Sequence, residues 1–215
     1  AGHYTANIPE WVQHFYTVRD LIRHCNIRRA AKEFAARGKY EIEALEKVEH
    51  VIGRTDWDEA CAKMFNPYVA YHFNNEILRD SFYEWQYDSC EKYRIFMSQG
   101  GVPYKGFHYM IEALAVLKRQ YPTVSLYITE RDFVNPRGIK EKLRLNSYQY
   151  YLKKLINRYG LQENIHFLGT LDEKQMCEQY LKANVFVLPS AIENSPNSLG
   201  EAMMLGTPTV VSDVG

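Results

Sequence analysis

Several features are scarce in this sequence, and each scarcity excludes something. Its four cysteines, Cys25, Cys61, Cys90 and Cys177, are scattered through 215 residues. With no CxxC pair and no zinc-ligand spacing, they exclude a disulfide framework and read as reduced thiols of a cytoplasmic protein. No run approaches the roughly eighteen apolar residues of a membrane span, and no signal peptide opens the chain. Lys plus Arg and Asp plus Glu both number 26, giving a net charge of zero. A broad basic field is therefore missing, which argues against a nucleic-acid partner. Neither GxGxxG nor a Walker pattern occurs, so dinucleotide and P-loop readings fail. No internal repeat or low-complexity segment is found.

What is present is enough apolar sequence, 46% of residues, for one ordinary domain and a piece of another. The chain begins with Ala and stops at "VVSDVG", just past an expected strand. It reads as an interior piece of a longer polypeptide. Residues 1–67 read as the tail of a preceding α/β domain. They are mostly helical and charged up to "EKV", then give a strand "EHVIGRT" and a helix "DWDEACAKMFNP". Residues 68–93 form an aromatic-rich connection, in which His72, Glu76 and Arg79 are spaced to share a helical face.

From residue 94 the pattern becomes regular. Strands "YRIFMSQ", "VSLYITE", "NIHFLGT", "NVFVLPS" and "PTVVSD" alternate with four helices, and a basic loop covers 131–146. In the first helix Met110, Ile111, Leu114 and Leu117 fall at helical spacing. Five apolar strands joined by helices predict an α/β fold over 94–215, a Rossmann-like parallel sheet with helices on both faces and its last elements missing.

Ligands of such sheets sit at the carboxyl ends of the strands, over helix amino termini. Four stretches fall there: "SQGGVPYKG", "TERDF", "GTLDE" and "PSAIENSPNS". Glu193 lies in the last of them and caps nothing obvious. Glu201 forms S-x-x-E with Ser198, a capping box that accounts for both residues without a ligand. Asn194, Ser195 and Asn197 favour turns that expose backbone N–H groups, a natural diphosphate cradle. Lys105 stands just before a helix, where the macrodipole disfavours a cation; a nearby anion or exposure to water would resolve the conflict. Asp56 and Asp58 could form a metal-binding Asp-x-Asp, but Asp56 with Glu59 fits a helix cap followed by an acidic first turn. His108 reads as a surface histidine within reach of the Lys105 loop.

These stretches, in order and at matching spacing over about 120 residues, resemble the retaining glycosyltransferases of the GT-B fold, family 4 (group 1). The likeness is carried by E-x7-E from Glu193 to Glu201, followed by "EAMMLGTPTVVSD", and by the "KGF" helix start at Lys105. The resemblance implies a nucleotide-sugar-binding domain at 94–215, preceded by the end of an acceptor-side domain and an interdomain connection. It implies that Glu193, the residue closest to the chemistry, contacts the hydroxyls of the donor sugar. Glu201 would accept from the ribose diol, and Lys105 would pair with the diphosphate. Asn194, Pro196, Asn197, Ser198 and Leu199 would complete the donor turn, and Gly169, Thr170 and Leu171 would border the base.

Transfer with retention, from a UDP- or GDP-sugar to a glycan or glycolipid acceptor, would then need neither metal nor cofactor. Its setting would be cytoplasmic, peripheral to the inner membrane surface, in cell-surface polysaccharide or glycolipid synthesis. The resemblance has one departure. The family's usual arginine five residues before the lysine is Gly100 here, which leaves Arg131 or Arg137 as substitute cations. A nucleotide-sugar epimerase, a non-catalytic partner subunit and a metal-dependent transferase built on Asp56 and Asp58 are the alternatives.

Overall fold

A computed structural model describes residues 7–84 and 87–214. Residues 1–6 of the expected first segment, 85–86 of the connection and Gly215 lie outside the described residues. Near the amino terminus the helical sequence divides into α1 (Glu10–His14), α2 (Val18–Ile22) and α3 (Ile27–Leu45). Side-chain caps set the breaks. Thr17 and Asp20 form a capping box that starts α2, and Asn26 accepts from the Arg29 N–H to start α3.

β1 (His50–Gly53), α4 (Asp56–Phe65) and β2 (Ala70–Phe73) then make a β-α-β unit with a parallel strand pair. Two expectations are corrected here. Thr55, not Asp56, caps α4: it holds extended backbone and its side chain accepts from Asp58 N–H. The connection contains a strand instead of a helix, because the backbone of residues 70–73 finds a ladder on β1. His72, Glu76 and Arg79 therefore share no helical face. His72 lies beside His50, Glu76 pairs with Arg54, and Arg79 pairs with Glu201.

The second sheet fulfils the expected α/β architecture. Its strands are β3 (Arg94–Met97), β4 (Ser125–Ile128), β5 (Ile165–Phe167), β6 (Val185–Leu188) and β7 (Thr209–Val211). All are parallel, in the order β5-β4-β3-β6-β7. The connecting helices are α5 (Phe107–Gln120), α6 (Ile139–Lys142), α7 (Ser147–Tyr159), α8 (Glu173–Lys182) and α9 (Asn197–Met204). α6 is one short turn inside the segment expected to be a basic loop.

Each face of the sheet has its own core, and alternation along β3 feeds both. Ile95 and Met97 join the cluster under α5 and α7, with Phe107, Ile111, Leu114 and Leu152. Phe96 joins the opposite cluster with Tyr180, Phe186, Ala202 and Leu205. All four residues of β3 are buried, as a central strand covered on both sides requires. Ile8 and Val12, at the amino terminus, are buried in the first cluster as well. Among the described residues no helix is long and apolar enough to cross a membrane.

The strand order places a topological switch at the centre. From β3 the chain moves outward to β4 and β5, then returns to the other side of β3 to lay down β6 and β7. The loops leaving β3 and β6 therefore run in opposite directions across the sheet and leave a crevice between them, where open α/β sheets bind ligands.

Candidate active site

The loop leaving β3 ends in a single 3-10 turn, Pro103–Lys105, before α5. Gly106 joins the two with φ 74°, and a Cβ there would lie 1.8 Å from the Pro189 carbonyl oxygen. Only glycine permits both the left-handed backbone and that approach. The Ala191 N–H donates to the Tyr104 carbonyl at 2.7 Å, stitching the loop to the end of β6. Lys105 and Glu193 thereby meet: Nζ donates to Oε1 at 2.6 Å. Their side chains are 16% and 12% exposed, so the pair is largely shielded from solvent. The same carboxylate oxygen accepts from Ser190 Oγ at 2.6 Å. The anion that Lys105 requires at the start of a helix is thus Glu193.

Beyond Glu193 the loop turns sharply at Ser195, which takes a left-handed φ of 48°. The side chains of Asn194 and Asn197 are occupied by the β1–α4–β2 unit and the segment just after it. Thr55 donates to Asn194 at 3.0 Å, and Asn194 donates to Asp58 at 2.6 Å. Asn197 donates to Glu76 at 2.9 Å, and Arg54 donates to the Asn194 carbonyl at 3.2 Å. Arg54 also pairs with Glu76. What these asparagines offer a ligand is therefore backbone.

α9 begins at Asn197, with Pro196 as an N-cap that lends no side chain. The Leu199 and Gly200 amides fold back onto the Pro196 carbonyl, which withdraws Leu199 from the expected cradle. The first-turn amides of Asn197 and Ser198 remain there, at the positive end of the helix. The Ser198–Glu201 capping box is not formed, because Ser198 lies within the helix instead of before it. Glu201 is buried, and its carboxylate accepts from Arg79 at 2.7 Å and from the Tyr180 hydroxyl at 3.0 Å. Burial, followed by the Glu201 charge, raises the Tyr180 pKa well above the ordinary range, so this phenol stays a donor.

The remaining expected residues fall into place around this crevice or away from it. Gly169 takes φ 72° two residues after the end of β5, and its N–H donates to the Glu130 carbonyl at 3.0 Å. Thr170 and Leu171 follow it toward α8. Gly100 is buried, and a Cβ there would come within 2.6 Å of Ile128 and 2.8 Å of Phe107. This position faces the core. Among the described residues neither substitute cation pairs with Glu193 beside Lys105; Arg131 lines a separate groove, and the backbone amide of Arg137 donates to Glu141 within its own loop. His108 is not at the surface; it is buried, with Nδ1 3.0 Å from the Tyr148 hydroxyl. Asp58 accepts from the Arg54 N–H and from Asn194. Among the described residues no three His, Cys, Asp or Glu side chains converge as a metal site.

Residues not singled out in the sequence also build the site. Glu130, at the carboxyl end of β4, accepts from the Gly100 N–H at 3.1 Å. Arg54, Ser190 and Tyr180 hold the loop and its two glutamates, as described above. Arg54 had a legible signal, since it follows "HVIG" at a strand end; Tyr180 had none.

Residues 83–215 match the family described as glycosyl transferases group 1. Over 108 residues the chain is 30% identical to mannosylfructose-phosphate synthase of Agrobacterium fabrum, covering 50% of this chain and 22% of that protein. Over 65 residues it is 38% identical to an uncharacterized glycosyltransferase of Methanocaldococcus jannaschii, covering 30% of this chain and 17% of that protein. The chain thus spans about a fifth of the curated relatives it matches. Sucrose-phosphate synthase from Thermosynechococcus elongatus shares the fold with a TM-score of 0.67 at 23% identity, over 84% of this chain and 45% of that one. The family match covers more than half of the sequence and includes both glutamates and Lys105: the chain belongs to the glycosyl transferases group 1.

Proposed function

We propose that the chain is the donor-side part of a retaining, family 4 glycosyltransferase that transfers a sugar from a UDP- or GDP-sugar to a glycan or glycolipid acceptor. One observation carries this reading. Lys105 and Glu193 meet at 2.6 Å in the switch-point crevice, with Glu193 on the loop that leads into the helix start at Asn197 and Ser198. A sugar nucleotide leaves as a diphosphate, and donors fixed where its charge grows lower the barrier. The Lys105 ammonium has three protons and can serve Glu193 and a phosphate together. The helix start adds backbone donors, so the chain's own groups stabilise the leaving group without a metal.

In this reading Glu193 orients the transferred sugar through its hydroxyls. Glu201 receives the ribose diol on the lone pairs that Arg79 and Tyr180 leave over, and residues 169–171 border the base. Within residues 1–67 the β1–α4 segment belongs to the acceptor-side domain, while α1 and α2 pack on the other unit; 68–93 is the interdomain connection and 94–215 the nucleotide-sugar domain. The work is cytoplasmic and peripheral to the membrane.

The test uses the intact protein. It is screened by thermal shift against UDP-, GDP-, ADP- and dTDP-sugars, and release of nucleoside diphosphate is then followed with and without acceptor. The expected result is protection by one donor class, acceptor-dependent release and full activity in chelator. Release that chelator abolishes overturns metal independence. Gly100, in place of the family's arginine, favours a second reading, a partner subunit that binds the donor without transferring it; protection without any release would select it.

A further inference from the structure

A net charge of zero conceals a strong segregation. Residues 14–37 carry six Lys and Arg against Asp20 and Glu33, and residues 131–146 carry five against Asp132 and Glu141. The fold brings these segments together. The Asp20 carboxylate accepts from the Ser147 N–H at 2.8 Å, which seats α2 on the start of α7. Between them opens a groove of about 550 Å³, and its charged lining residues are Arg19, Arg23, Arg131 and Arg144, with no carboxylate among them.

Acidic side chains nearby are engaged elsewhere. Asp132 accepts from the Val134 and Asn135 amides, Glu141 from the Arg137 amide and Glu130 from the Gly100 amide. Arg19 touches Asp20 at 3.4 Å. Arg23, Arg131 and Arg144 have no carboxylate partner among the described residues. With Arg19 offset in part by Asp20, the guanidinium groups of Arg23, Arg131 and Arg144 repel each other unless a further anion joins them, and their planar forks match phosphate oxygens. Arg131 follows Glu130 at the carboxyl end of β4, the sheet edge that also carries the Lys105 loop.

We propose that the groove of Arg19, Arg23, Arg131 and Arg144 binds the phosphate group of an anionic ligand, apart from the crevice at Lys105. Two sources carry that chemistry: a soluble sugar phosphate and the headgroup of an acidic phospholipid. The site is one of binding and does not rest on glycosyl transfer.

The experiment compares the intact wild type with Arg131→Ala/Arg144→Ala, both exposed positions. Hexose phosphate is titrated by calorimetry, and vesicles of phosphatidylcholine with and without phosphatidylglycerol are used in flotation. A control, Lys39→Ala/Lys174→Ala, removes the same charge from exposed positions elsewhere. Hexose-phosphate binding weakened roughly tenfold or more in the arginine variant, and unchanged in the control, supports a soluble ligand. Flotation with phosphatidylglycerol vesicles, lost in the arginine variant alone, supports the lipid headgroup. The proposal falls if wild type binds neither probe, if the arginine variant binds as wild type does, or if the control loses as much. Thermal protection by nucleotide sugar, unchanged in the arginine variant, verifies its fold; a failure of donor binding in all three proteins would count against the transferase reading alone.

Discussion

Lys105 and Glu193 are 88 residues apart in sequence and 2.6 Å apart in space, because the strands that precede them, β3 and β6, are neighbours in the sheet. The pair neutralises a cation at a helix start and a carboxylate at a strand end, each unfavourable alone in a shielded crevice. In the proposed reading it also holds the ammonium where an incoming diphosphate would share it.

Under the proposed roles, removing either partner should separate binding from chemistry. Glu193→Ala is expected to lower kcat at least about tenfold in the intact enzyme, the effect of one lost charge-assisted contact. Lys105→Ala is expected to weaken nucleotide-sugar binding by a similar factor, read by calorimetry. Wild-type turnover in the first variant would remove Glu193 from the mechanism.

Gly106 is where two loops touch. Gly106→Ala adds a methyl 1.8 Å from the Pro189 oxygen and forces a left-handed φ on alanine. A loss of more than about 2 kcal/mol in urea unfolding is expected. A loss below half that would mean the β3 and β6 loops separate easily, and that the ion pair is not held by this contact.

Restoring the family's arginine should fail. Gly100→Arg places a Cβ against Ile128 and Phe107, 2.6 Å and 2.8 Å away, so overpacking should cost about 1–3 kcal/mol. Donor affinity should not improve, since the position faces the core. Tighter donor binding at unchanged stability would show that the loop can turn outward.

Alkali should destabilise the fold. Burial raises the pKa of Tyr148 and of Tyr180 above the ordinary value near 10. Tyr87 is raised to about 12, again chiefly by burial. The folded state thus holds these protons more tightly than the unfolded chain. Their contribution is complete below about pH 10 and is lost as pH rises through the folded values. Urea midpoints should fall from about pH 9 to about pH 11, and Tyr148→Phe should flatten part of that fall. A pH-independent midpoint would contradict the assignment.

Much of the carboxyl-terminal sheet was legible because its strands are short apolar runs bounded by turn residues, the pattern of strands covered on both faces. β2 was not, since "AYHF" is mostly exposed and acquires its strand character only from pairing with β1. Lys105 and Glu193 were both identifiable, one by its conflict with the macrodipole and one by its place at a strand end. Their mutual contact was not, for it depends on strand order. At Glu201 the local capping rule gave a self-sufficient answer that proved wrong. Its true partners, Arg79 and Tyr180, lie 122 and 21 residues away, beyond any spacing rule. His108 was misread for the same reason: its partner Tyr148 is on another helix.

The helix α1 bears on how this molecule can be divided. Ile8 and Val12 are buried in the core beneath α5 and α7, and Trp11 meets Tyr151 edge-on at 6.1 Å. Asp20 supplies the acceptor for the Ser147 amide. A shortened chain started at residue 83, where the family match begins, would bare this apolar flank and leave that amide without its carboxylate. Such a truncation invites aggregation, and calorimetric melting should find the α1–α2 segment cooperating with the large sheet instead of fraying ahead of it.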